Sequence, residues 1–66
     1  MVIKLNGAVS QVPDGSTVQD VVAARQLPAN IVVVELNGEI VRRERWAETH
    51  LCSDDRLEIV RLIGGG

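Results

Sequence analysis

Apolar positions recur with a period of two in several stretches of the chain and with a helical period in one. Residues 2–6 read as a strand, with Lys4 interrupting the apolar positions. Asn6-Gly7 follows, a two-residue hairpin signal because both residues tolerate positive φ. Residues 8–12 read as the return strand, and Pro13-Asp14-Gly15-Ser16 is turn chemistry. Thr17 is placed to cap a helix, with Asp20 three residues on as the second half of a capping-box pair. Val18, Val21 and Val22 fall on one helical face, while Gln19, Asp20 and Arg25 point to solvent. Pro28 is expected to stop the helix.

The most apolar run, IVVVEL at residues 31–36, is short and β-branched, so it predicts a central strand. Asn37-Gly38 makes a second turn, with a short strand over 39–41 after it. Residues 43–49 predict a helical turn that carries Trp46 inward, Ser53-Asp54-Asp55 a loop, and residues 56–63 the last strand. Gly64-Gly65-Gly66 closes the sequence. The order is hairpin, helix, strand, short strand and turn, strand. It predicts an α+β fold of the β-grasp kind, a mixed sheet with one main helix across one face. In it, Ile3, Leu5, Val32, Val34, Leu57 and Ile59 alternate toward the helix. Val33, Glu35, Glu58 and Val60 then lie on the open face. The domain is expected over residues 1–63, with 64–66 as a flexible tail.

Composition narrows the function. At 66 residues the chain has room for one small core and little for a buried catalytic pocket. Hydrophobic residues make up 45%, enough to argue against global disorder. The eleven Val and the absence of Phe and Tyr favour strands. A net charge of −2 lacks the basic surplus of a nucleic-acid binder. A single cysteine excludes an internal disulfide and a cysteine zinc site, which fits a reducing cytosol. No apolar run nears the roughly 20 residues of a membrane span, and the opening residues lack the apolar stretch of a signal peptide, so the expected location is the cytoplasm.

Candidate chemistry concentrates at the end of the chain. The glycine tail abuts the last strand without a linker. It is expected to be mobile. Without Cβ atoms it can thread a narrow channel and bring the Gly66 carboxylate to a nucleotide bound by another protein. The chain itself has no P-loop and no GxGxxG motif. Val33 and Val60, beside Glu35 and Glu58 and with Leu62 near the tail, make a small apolar patch rimmed by charge that suits docking. The remaining candidates read as structure. His50 lacks a nucleophile or metal partner, and Cys52 reads as a half-buried structural thiol. Trp46 reads as a core plug beneath the sheet edge. Arg42, Arg43 and Arg45 interleave with Glu39, Glu44 and Glu48 as a solvated face. Asp54 and Asp55 shape a turn. With no nucleophile–base pair, metal cluster or cofactor motif, the chain reads as a protein co-substrate and not an enzyme.

Four segments carry a family resemblance: MVIKLNG, PDGSTVQDVV, VELNGEIVRRERW and DDRLEIVRLIGGG. Together they resemble the ubiquitin-like sulfur carriers of thiamin biosynthesis over the whole chain. Arg42 stands near a position where that family often has proline. The resemblance implies a cycle. A partner similar to ubiquitin-activating enzymes uses ATP to adenylate the Gly66 carboxylate. Sulfur from a cysteine desulfurase or other donor replaces the adenylate, giving a thiocarboxylate. Thiazole synthase then takes the sulfur. It implies no cofactor bound by this chain, no nucleic acid and no membrane. Carriers for molybdopterin synthase or for tRNA thiolation share the chemistry and stay open. So does a β-grasp binding module of the TGS kind, whose start the PDGSTVQDVV segment also resembles.

Overall fold

The computed structural model describes residues 1–62. Its strands are β1 (Val2–Leu5), β2 (Ala8–Gln11), β3 (Val32–Leu36), β4 (Glu39–Val41) and β5 (Arg56–Arg61); α1 spans Val18–Ala24. Short 3-10 turns occupy Ala29–Ile31 and Arg43–Glu48. Among the described residues the strands form one sheet in the order β2-β1-β5-β3-β4. β1 and β5 run parallel and the other neighbours antiparallel. This is the expected β-grasp: a mixed sheet with the helix packed on one face.

The alternation places the core as expected. Ile3, Leu5, Val32, Val34, Leu57 and Ile59 are all buried, against Val18, Val21 and Val22 of α1. Trp46 is 1% exposed, and its indole N–H donates to the Val41 carbonyl at 2.8 Å. The one polar atom of the plug is thereby satisfied. Leu51 closes the same cluster. The segment leading to β5 is tied to the helix start by Val18 N–H to the Thr49 carbonyl (3.0 Å) and Leu51 N–H to the Ser16 carbonyl (2.9 Å).

A seven-residue helix cannot stand alone, so its ends matter. The capping box forms: Asp20 N–H donates to Thr17 Oγ1 at 3.1 Å, and Thr17 N–H to Asp20 Oδ2 at 2.9 Å. The C-terminus differs from the sequence expectation. α1 ends at Ala24, before Pro28 can act. Gln26 turns left-handed (φ 57), its N–H reaching the Ala23 carbonyl at 3.0 Å and Leu27 N–H the Val22 carbonyl at 3.4 Å. These two bonds make a Schellman stop, with Leu27 packed against the core.

Other boundaries shift for local reasons. Pro28 starts a 3-10 turn that ends at Ile31, with Ile31 N–H on the Pro28 carbonyl at 3.2 Å, so β3 begins at Val32. β5 ends at Arg61, and Ile63 of the expected strand lies outside the described residues, as does the 64–66 tail.

Candidate functional site

β5 is the central strand, and it leads in sequence to Gly66. How it is held is therefore the first question. Both Asn-Gly turns adopt the positive φ that a two-residue hairpin needs: 51 and 83 at Asn6 and Gly7, 53 and 89 at Asn37 and Gly38. Each asparagine also reaches β5. Asn6 N–H donates to the Leu57 carbonyl at 2.9 Å, and Asn6 Oδ1 accepts from Ile59 N–H at 2.7 Å. Asn37 N–H donates to the Arg56 carbonyl at 2.8 Å, and Asn37 Oδ1 accepts from Arg56 N–H at 2.9 Å. Where the backbone turns away, the side-chain amide oxygen takes over the abandoned ladder position. At the far end, Leu62 N–H donates to the Ile31 carbonyl at 2.7 Å. β5 is thus anchored from both sides as far as Ile59, and on the β3 side alone from there to Leu62.

The sheet face opposite α1 carries the expected docking residues. Register sets Val33 opposite Val60 and Glu35 opposite Glu58 across β3 and β5. Val60 is 50% exposed and Leu62 58%, while Val33 and Glu35 are half-buried by their flanking strands. Ile40, 69% exposed, stands opposite Glu35 on β4 and extends the patch. Alternation in the short strand Glu39–Val41 is the signal that places Ile40 on this face. On the other flank Lys4 lies beside Arg56, with exposed Val9 beyond it. Down β5 the face reads cationic at Arg56, anionic at Glu58 and apolar at Val60.

The other candidates do not assemble into chemistry. Cys52 is exposed, a correction to the half-buried reading. Its backbone N–H donates to Asp55 Oδ2 at 2.7 Å, so a polar turn holds this segment at the surface. Asp55 Oδ1 also accepts from Asn37 Nδ2 at 3.1 Å, which uses that carboxylate structurally. His50 is exposed, its Nδ1 3.3 Å from the Gly15 carbonyl oxygen. Arg42, Arg43 and Arg45 are exposed, and Arg45 pairs with Glu48 at 3.1 Å. A cleft of about 430 Å³ opens between α1 and the end of β2, over Leu5, Val12 and Val21. Its carboxylates are engaged, Asp20 in the helix cap and Asp14 with the Met1 amino group at 3.0 Å. Among the described residues no group of His, Cys, Asp or Glu could hold a metal ion, and no helix is long and apolar enough to cross a membrane. What the described residues offer is an exposed apolar face edged by charge and an anchored strand that leads in sequence to the closing glycines.

The ThiS family matches residues 3–66. The sulfur carrier protein ThiS of Bacillus subtilis is 46% identical over 65 residues, covering 97% of this chain and 98% of that protein. A thiazole synthase of Magnetococcus marinus is 33% identical over all 66 residues, which make up 20% of its length. The crystal structure of the thiamine biosynthesis protein ThiS from Geobacter metallireducens superposes with a TM-score of 0.86 at 33% identity, with full coverage of both chains. The chain belongs to the ThiS family, the sulfur carrier proteins of thiamine biosynthesis.

Proposed function

We propose that the chain carries sulfur as a thiocarboxylate on Gly66. The observation that carries this reading is a family match that runs to residue 66, with 46% identity to a sulfur carrier covered over 98% of its length. A free glycine carboxylate is a poor electrophile. Attack by the carboxylate on the α-phosphorus of ATP expels pyrophosphate and leaves an acyl-adenylate. Sulfide from a donor then adds to the acyl carbon and AMP departs; where the donor is the persulfide of a cysteine desulfurase, its terminal sulfur adds instead to give an acyl disulfide, and a partner thiol cleaves that S–S bond, leaving the thioacid and a disulfide. The resulting thioacid gives its sulfur to the nascent thiazole and returns as the carboxylate. The metal, the nucleotide cradle and the ATP belong to a partner resembling ubiquitin-activating enzymes, because adenylation needs them, the sequence has no P-loop or GxGxxG motif, and the described residues offer no metal-holding cluster. This chain binds no cofactor of its own and works in the cytoplasm.

Thiazole synthase is the sulfur acceptor in this scheme. The thiazole synthase of Magnetococcus marinus that contains a stretch similar to this chain supports that assignment. The carrier would be gripped on Val33, Glu35, Glu58, Val60 and Leu62, while Gly64, Gly65 and Gly66 enter the partner. Covalent geometry suits the division of labour: residues 63–66 can extend at most about 13–14 Å beyond the last anchored residue. Intact mass spectrometry of the protein purified from its own cell tests the proposal. A terminal acid that has exchanged one oxygen for sulfur is expected. Protein made under thiamine demand that carries only the unmodified carboxylate would overturn it.

A further inference from the structure

Resting on the docking reading above, we infer that the open face receives a basic side chain of the partner, an arginine or lysine, between Glu35 and Glu58. The two glutamates are directly opposed across β3 and β5. Their Cβ atoms stand about 5 Å apart, the spacing at which like charges destabilise a sheet. No ion pair among the described residues engages either carboxylate: those present are Met1–Asp14 and Arg45–Glu48. Arg56 sits two residues along β5 on the same face, beside Lys4, but makes no ion pair with either carboxylate.

The surroundings define the occupant. The carboxylates are flanked by Ile40 on β4 and by the Val33–Val60 pair along the strands. An arginine or lysine fits such a setting, its aliphatic stem over the valines and its charged head between the carboxylates. A guanidinium can bond both carboxylates at once. Val60 and Leu62 extend this face toward Gly66. The protein seated here is therefore the one that handles residues 63–66, and the electrostatic contact lends it orientation.

The inference predicts effects of opposite sign in the free chain and in the complex. Glu35→Gln and Glu58→Gln each relieve repulsion, so the free chain should unfold about 1–5 °C higher. Each should weaken binding to the adenylating enzyme of the same cell about tenfold at low salt, and the salt dependence of Kd should flatten. Calorimetric titration and thermal unfolding read these out, with Val60→Asp as the control for the face itself. If Val60→Asp weakens binding and both Gln variants bind as the parent does, the face stands and the basic contact is refuted. If Val60→Asp also binds normally, the docking reading falls with it. Sedimentation showing a homodimer that the Gln variants dissociate would assign the face to a second copy and overturn the inference.

Discussion

Asn6 should be worth far more to this domain than a turn residue usually is. It supplies a left-handed backbone at φ 51 and an acceptor for Ile59 N–H at 2.7 Å. Three substitutions separate the two roles. Asn6→Gly keeps the backbone free to turn but removes the acceptor from a half-buried N–H, a loss of about 1–3 kcal/mol. Asn6→Ala removes the acceptor and adds about 1 kcal/mol of left-handed strain. Asn6→Asp keeps an oxygen in place and should cost least, measured with added salt to screen its new charge. A single core of this size supplies only about 3–5 kcal/mol, so the Ala variant should lose most of it. Urea unfolding followed by fluorescence of Trp46 is the assay, since that residue is the only aromatic and is buried. The midpoints should fall in the order Asp, Gly, Ala with unchanged slope. A Gly variant within about 0.5 kcal/mol of the parent would refute the acceptor role; an Asp variant as unstable as Gly would do the same.

Gln26→Gly should stabilise the domain by about 0.5–1 kcal/mol, because glycine adopts the left-handed Schellman position without a Cβ clash. Thermal unfolding should show a rise of about 3–6 °C, and a fall would mean that the stop does not strain the parent. Deleting Gly66 should abolish sulfur transfer and leave the unfolding midpoint unchanged; a truncated chain that still transfers sulfur contradicts the carrier scheme. Val60→Asp should slow adenylation by weakening docking, with the half-exposed site leaving stability nearly unchanged. Unaltered adenylation kinetics in that variant would remove the open face from the mechanism.

Features governed by near neighbours were legible in the sequence. Period-two alternation placed Ile3, Leu5, Leu57 and Ile59 in the core. Both Asn-Gly turns and the Thr17–Asp20 box are encoded within four residues. The helix stop was not legible, because glutamine carries no preference for the left-handed region and Pro28 offered a more conspicuous breaker. Ile31 belongs by composition to the apolar run, yet the preceding proline draws it into a 3-10 turn. Cys52 is exposed because Asp55 closes a polar turn around it, a contact that outweighs the usual preference of a thiol for the interior. For the site, the members of the open face could be named from alternation alone. That Glu35 opposes Glu58, and that two turn asparagines reach across to β5, depends on register between strands distant in sequence. No local pattern carries register of that kind.

That long-range register also suits a carrier this small to the proposed cycle, which asks no catalytic group of its described residues. In the proposed cycle its task is positional: to present one acyl carbon to a foreign site while a partner holds the rest. Position is transmitted only if the held surface and the last anchored residue belong to one rigid body. Glu58 and Val60 stand at alternate positions of β5, Leu62 continues that spacing one residue past its end, and the Leu62–Ile31 bond ties the chain down there. The amide oxygens of Asn6 and Asn37 hold the other half of β5 against both neighbours. A partner that grips the valine face therefore fixes Leu62, and Gly66 is confined to a sphere of about 13–14 Å around it. Gly64, Gly65 and Gly66 remove side-chain bulk within that sphere and leave the partner's channel to choose the path. Loosening β5 at Asn6 should thus impair sulfur loading beyond the loss of folded protein, because the grip and the cargo would no longer move as one.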